Sequence, residues 1–170
     1  VMGGKWTTCR PMALDTLAAV ERQLGQALPS PKVMALLGSG PTPTATRDKL
    51  EEQKNQLKDL LLNTPQRDAQ IAHLQGSHGL QAVPLIAAAA PEERAPLSDV
   101  IPICEAEIVH AIKVEQARSS TDVLARRCRL AMVDFAEAQR LEPLTEKHLA
   151  QSGLESAATS TSPMSHQLNP

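Results

Sequence analysis

The stretch from residue 105 to residue 134, EAEIVHAIKVEQARSSTDVLARRCRLAMVD, decides the fold because it contains the clearest helical pattern in the chain. Pro102 can open a helix that continues through Ile108, since apolar residues return there at helical spacing. Ser119 and Asp122 then have the spacing of a capping box, which marks the start of a second helix. Two neighbouring residues are alternative caps: Ser120 and Thr121.

The second of these helices carries the best-defined apolar stripe of the sequence. Its members recur at steps of three and four residues: Leu124, Cys128, Ala131, Phe135 and Ala138. Residues at this spacing share one face of a helix, so the stripe predicts one long helix that packs against a core.

Further helices are predicted on the N-terminal side of this stretch. They span residues 11–28, 46–62, 65–76 and 80–90. Thr46 is the expected N-cap of the second of them. A loop rich in Pro, Gly, Ser and Thr separates the first two at about residues 29–45. Helices this short need each other's apolar faces, so the predicted fold class is all-α, a short helical bundle.

The two ends of the chain differ from this helical middle. Residues 1–10 contain two glycines followed closely by two β-branched threonines, a composition that suits a strand end or a tight loop. Residues 151–170 are rich in Ser, Thr, Ala and Pro and offer no apolar face, which predicts a disordered tail. The expected organisation is a terminal strand over 1–10, a helical domain over 11–150 and a tail over 151–170.

Composition excludes several classes of function. A net charge of −2 argues against a nucleic-acid-binding arm or a polybasic membrane patch. With no Tyr, one Trp and one Phe, the core is aliphatic and a sheet that stacks RNA bases is excluded. Three widely spaced cysteines indicate neither a disulfide framework nor a zinc knuckle. No apolar run reaches the roughly 18 residues of a spanning helix.

Two blocks of sequence resemble one known family. Residues 3–20, GGKWTTCRPMALDTLAAV, resemble the block that ends the flavin domain of FAD-dependent glycerol-3-phosphate dehydrogenases. Residues 105–134 resemble a block in the C-terminal helical domain of the same family, and residues 78–86 give a weaker match. The resemblance therefore implies that residues 1–10 are the last strand of an FAD domain and that the remainder is the helical domain.

The resemblance also implies a reaction and its partners. Family members oxidise glycerol 3-phosphate to dihydroxyacetone phosphate, pass a hydride to FAD and transfer electrons to a quinone, or to oxygen in oxidase relatives. By resemblance, the cofactor-binding residues are Gly3, Gly4, Lys5 and Thr7. Lys5 would also bind the substrate phosphate, because a lysine is a point cation suited to that group. No residue is assigned a catalytic or metal-binding role.

Departures from the family favour a fragment that is inactive alone. The Gly-x-Gly-x-x-Gly turn that binds the FAD pyrophosphate does not occur in these residues, and position 1 is Val. Family tyrosines are replaced at five positions: Cys9, His78, Ile103, His110 and Gln116. The alternative is a non-catalytic helical interaction module or a degenerate relic. The expected location is the cytoplasm, or peripherally the inner membrane, mitochondrial in a eukaryote.

Other candidate sites have two interpretations each. Gly3 and Gly4 could form only a turn, beside a solvated Lys5. The basic cluster of Arg126, Arg127 and Arg129 could bind a phosphate, but ion pairs with nearby carboxylates such as Asp122 are favoured. Glu107 and His110 have the i, i+3 spacing of a di-iron ligand pair, although a second such motif is missing. The remaining histidines are expected in surface or capping roles: His73, His78, His148 and His166.

Overall fold

A computed structural model describes residues 5–30, 32, 34 and 36–153 of the chain. These residues form seven α-helices and contain no sheet, which confirms the all-α prediction. The helices are α1 (Cys9–Leu24), α2 (Pro43–Leu60), α3 (Arg67–His78), α4 (Ala82–Ala87), α5 (Glu105–Lys113), α6 (Leu130–Val133) and α7 (Phe135–Gln151). Among the described helices, none has the length and apolar character needed to cross a membrane.

The predicted N-terminal strand is not found in the described part of residues 1–10, and this is a correction. Trp6–Thr8 form a 3-10 turn and α1 begins directly after it. The backbone N–H and the hydroxyl of Thr8 both donate to the carbonyl oxygen of Lys5, which closes the turn. Local hydrogen bonds of this kind compete with an extended conformation. Gly3 and Gly4 lie outside the described residues.

Residues 1–34 form a compact unit that contains α1. The helix ends at Gly25, whose φ of 66° closes it as the sequence predicts. None of its residues is buried, and Leu17, Val20 and Leu24 are 38%, 39% and 57% exposed. The apolar stripe of α1 is therefore largely open within this unit.

The second unit, whose described residues are 36–153, contains two hydrophobic clusters on either side of α5. The α2–α4 cluster includes Leu57, Leu74 and Ile86, all completely buried. The α5–α7 cluster has Ile108 and Ile112 at its centre. Because α5 supplies residues to both clusters, it joins the two halves of this unit.

Helix α2 begins three residues before the predicted cap. The side chain of Thr42 accepts a hydrogen bond from the backbone of Ala45, and Pro43 occupies the first helical position. Thr46 instead lies inside the helix, where its hydroxyl donates to the Thr42 carbonyl oxygen and accepts from Gly40. A second suitable N-cap followed by a proline thus moved the helix start towards the N-terminus.

The prediction of one long helix after Ser119 is wrong, because the structure has three shorter helical segments there. The predicted capping contact is present, since the Ser119 hydroxyl accepts from the backbone of Asp122 at 3.1 Å. A π-helical segment, Asp122–Arg127, follows and ends before Arg129, which has a left-handed φ of 63°. Asp134 then caps α7 by accepting from the backbone of Glu137. The break turns Phe135 out of the expected stripe, and it is 66% exposed.

Candidate functional site

The residues expected to bind a flavin lie at the start of the first unit. Lys5 and Thr7 are both exposed, and Gly3 and Gly4 lie outside the described residues. The hydroxyl that makes a local contact here belongs to Thr8, which donates to the Lys5 carbonyl oxygen at 3.0 Å. Lys5 and Thr7 thus remain available to a partner, and their roles remain predictions.

Two arginines of the basic cluster form ion pairs, one with a carboxylate that the sequence predicted and one with a carboxylate that it did not. Arg126 binds Asp122, the predicted partner one helical turn earlier. Arg127 lies against Glu115, with its Nε 3.6 Å from Oε2 and its NH2 group donating to the Glu115 carbonyl oxygen at 2.8 Å. Arg129 is exposed. Two of the three guanidinium groups are thus paired with carboxylates, which agrees with the ion-pair interpretation.

The strongest polar centre surrounds Glu107, in the first turn of α5. This side chain is only 7% exposed. The Nε2 atoms of His73 and His78 lie 2.8 Å and 3.0 Å from its Oε1 atom. Its other oxygen, Oε2, accepts from the backbone N–H of Cys104 at 2.9 Å. Three donors therefore surround one buried carboxylate and join α3 to the start of α5.

These contacts decide the charge of Glu107. Burial by itself would raise the pKa of the carboxyl, but the hydrogen bonds from His73 and His78 outweigh burial and lower the pKa to about 2. A carboxylate can only accept hydrogen bonds, so both histidine Nε2 atoms donate. Each ring has a second nitrogen, Nδ1, which takes no part in the contact with Glu107.

His78 also takes part in a second cluster. Its ring meets that of His110 edge to face, with centroids 5.6 Å apart. His110 in turn lies beside Glu115, with Nε2 3.9 Å from Oε1. One ligand atom from each of His78, His110 and Glu115 falls within 4.8 Å of the others. Burial lowers the pKa of His110, while the charge of Glu115 acts in the opposite direction.

A cavity of about 220 Å³ opens beside this cluster. Its walls include His78, Glu107, Glu115, Arg126 and Cys128. Burial raises the pKa of the Cys128 thiol, and the nearby Glu107 charge raises it further. This thiol is therefore kept protonated, which makes it a poor nucleophile.

Of this site, the sequence indicated only Glu107 and His110 as a candidate pair, and it assigned no role here to His73, His78 or Glu115. The spacing of Glu107 and His110 indicated a ligand pair, yet the partners of Glu107 are His73 and His78. The surface or capping role predicted for these two histidines is therefore wrong. A local signal was present in Cys104-x-x-Glu107, where the glutamate accepts from the backbone at the helix start as in a capping box.

Comparison with known proteins gives the family. A sequence model described as the C-terminal domain of alpha-glycerophosphate oxidase matches residues 32–153. A mitochondrial glycerol-3-phosphate dehydrogenase of Arabidopsis thaliana is 31% identical over 150 residues, which cover 82% of this chain and 24% of the relative. The human mitochondrial glycerol-3-phosphate dehydrogenase is 32% identical over 151 residues, which cover 84% of this chain and 19% of the relative.

A probable mitochondrial glycerol-3-phosphate dehydrogenase of Dictyostelium discoideum is 32% identical over 147 residues, covering 82% of this chain and 21% of the relative. The chain thus spans 19–24% of the length of these relatives. No solved structure was found to match it. The all-helical fold of the described residues agrees with the family match. The chain therefore belongs to the family of the alpha-glycerophosphate oxidase C-terminal domain.

Proposed function

We propose that the chain serves as the C-terminal helical domain of an FAD-dependent glycerol-3-phosphate dehydrogenase that oxidises glycerol 3-phosphate and passes electrons to a quinone. One observation carries the proposal: more than four-fifths of the chain aligns with mitochondrial glycerol-3-phosphate dehydrogenases, but only 19–24% of each relative is covered. The flavin and the reacting atoms of the substrate would then be held by another part of the enzyme.

The two candidate flavin residues that the structure describes do not lie in an enclosed site. Lys5 and Thr7 are exposed, and no Gly-x-Gly-x-x-Gly turn occurs in the sequence. A cofactor held by these residues alone would have few contacts and little protection from water. The chain on its own is therefore proposed to be inactive, and we derive no reaction step through FAD.

Within a complete enzyme, Lys5 is proposed to supply a positive charge near the flavin or the substrate phosphate. Gly3, Gly4 and Thr7 are proposed to contact the cofactor through their backbone or hydroxyl groups. The exposed apolar stripe of α1, which follows Lys5 directly, would be covered by the flavin-binding part. Peripheral attachment to the inner membrane, in mitochondria of a eukaryotic source, would give access to quinone.

A non-catalytic interaction module is the second candidate. It is favoured by the two hydrophobic clusters of residues 36–153, which give this unit a core of its own. The replacement of family tyrosines by His78 and His110 also points in this direction. A module of this kind would keep the helical fold without flavin chemistry.

A chimaeric enzyme separates the two candidates. The chain would replace the matching part of the Dictyostelium discoideum relative, and retained flavin absorbance and glycerol-3-phosphate-dependent dye reduction would be measured. We expect the chimaera to keep both properties and the isolated chain to show neither. A chimaera with normal helicity but without flavin would support the interaction module instead.

Single substitutions in the chimaera test the role of Lys5. Lys5→Gln should lower dye reduction by about tenfold or more, because a cation near a developing negative charge is lost. The matched control is Lys147→Gln, which removes an exposed lysine of α7 and should leave the rate unchanged. Equal rates for the two variants would contradict the role of Lys5.

A further inference from the structure

We propose that His78, His110 and Glu115 form a binding site for a divalent transition-metal ion of the zinc class, with water as a fourth ligand. The proposal concerns the second unit only and does not depend on the flavin reaction. Two imidazoles and one carboxylate are a donor set that zinc, cobalt and nickel accept readily, whereas magnesium and calcium prefer oxygen ligands alone.

The separations of the side chains are close to those of a metal site. The three ligand atoms lie within 4.8 Å of one another. In a tetrahedral site with bonds of about 2.1 Å, two ligand atoms are about 3.4 Å apart. The 3.9 Å between His110 Nε2 and Glu115 Oε1 is too long for a hydrogen bond but close to that spacing. Small side-chain rotations would therefore close the site around an ion.

The surrounding structure holds each ligand in place. Glu107 accepts from Nε2 of His78, so the other ring nitrogen of His78 lies outside this hydrogen bond. Histidines that bind metals commonly donate their second ring nitrogen to a carboxylate in this manner. The backbone N–H of Glu115 donates to the carbonyl oxygen of His110 at 3.2 Å, which keeps these two ligands together.

The local charges favour a cation. Glu107 and Glu115 contribute two negative charges, and Arg127 compensates one of them from the Oε2 side of Glu115. Oε1 of Glu115, which faces His110, is left for the ion. Arg126, the other nearby guanidinium, is paired with Asp122. The adjacent cavity of about 220 Å³ has room for the water that would complete the coordination.

The site is specific to this sequence rather than to the family pattern. The resemblance places tyrosines at positions 78 and 110, and here both are histidines. Tyrosine at both positions would remove the two nitrogen ligands. The resemblance to the family therefore does not predict this ligand set.

Cobalt titration of the purified chain tests this inference. Co²⁺ bound by nitrogen and oxygen ligands absorbs visible light, and we expect saturation at one ion per chain. His110→Gln and Glu115→Gln should each weaken binding by about tenfold or more, since each removes one of three protein ligands. His148→Gln is the matched control, because His148 binds Glu105 elsewhere, and its affinity should stay within about twofold of wild type.

Far-UV circular dichroism of each variant would show whether the helices are retained. Because His110 and Glu115 are both partly exposed, we expect the two variants to fold. Unchanged affinity in His110→Gln and Glu115→Gln would overturn the proposal. So would the absence of saturable binding at millimolar cobalt. A strong cobalt–thiolate absorption band would also overturn it, because the ion would then be bound by a cysteine.

Discussion

Gly38 and Gly79 lie in direct backbone contact. A Cβ atom added at Gly79 would collide with the carbonyl group of Gly38, and one added at Gly38 would lie 2.6 Å from the carbonyl oxygen of His78. Both glycines have positive φ angles, 79° and 55°. The Gly38 carbonyl oxygen also accepts from the backbone of Leu80 at 2.9 Å, so this contact fixes the segment before α2 against the end of α3.

Gly79→Ala should destabilise the chain by more than about 1 kcal/mol from backbone strain alone, with the steric clash adding to this cost. Gly76→Ala is the matched control in the neighbouring helix, because a Cβ there meets nothing within 4 Å. It should stabilise the chain by about 0.5–1 kcal/mol, since alanine favours helix over glycine. Urea unfolding measures both, and similar effects of the two substitutions would contradict the close contact.

Ile112→Ala tests the α5–α7 cluster. Ile112 is 1% exposed, and its truncation should cost about 2–5 kcal/mol through lost burial and a cavity. Val114, two residues later, is 64% exposed, so Val114→Ala should change the free energy of unfolding by less than about 0.5 kcal/mol. The comparison is again made by urea unfolding. A small effect of Ile112→Ala would show that α5 does not lie at the centre of this unit.

Glu137 should make stability fall in acid. The hydrogen bond from Arg140, with a smaller contribution from Ser98, lowers the pKa of Glu137 to about 2. A folded-state pKa below the unfolded value gives stability that is present above about pH 4.5 and is lost as the pH falls towards 2. The urea concentration at the midpoint of unfolding should fall between pH 6 and pH 3. Glu137→Gln should therefore make this fall smaller.

The control for Glu137 is Glu146→Gln, which changes an exposed carboxylate on the same helix. Its loss of urea midpoint over the same pH range should match that of the unsubstituted chain. If Glu137→Gln also matched the unsubstituted chain, the ion pair with Arg140 would contribute nothing to the acid sensitivity.

The three cysteines should react with a thiol reagent at different rates. Cys9 is exposed, Cys128 is partly buried and Cys104 is completely buried. Burial also raises the pKa of Cys104 and of Cys128, which disfavours the reactive thiolate. One thiol per chain should react rapidly with Ellman's reagent, and Cys9→Ser should remove that phase. Rapid reaction of Cys104 in the folded chain would contradict its burial.

Sequence patterns predicted the helical class because apolar residues such as Ile108 and Ile112 recur at helical spacing. The exact helix starts were less predictable, since Thr42 and Thr46 are both good caps and only the proline after Thr42 distinguishes them. The break at Arg129 was missed for a different reason. A non-glycine residue with positive φ gives no local sequence signal, because surrounding contacts impose that conformation.

In the candidate site, too, local contacts could be predicted from the sequence and contacts between distant residues could not. The acceptor role of Glu107 at the start of α5 follows from its spacing to Cys104 and was accessible from sequence. Its contacts with His73 and His78 join residues 34 and 29 positions apart. Such pairs depend on how α3 and α5 pack, so periodicity within one helix cannot show them.

The buried centre at Glu107 also constrains which mutations the chain can accept. Loss of the carboxylate alone would leave His73 and His78 without their shared acceptor, and loss of either ring would weaken the compensation of a buried charge. Each single replacement should therefore lower stability more than a joint change of all three residues to apolar ones. Such epistasis makes the trio hard to erase stepwise, so descendants of this sequence should retain or lose it as a block.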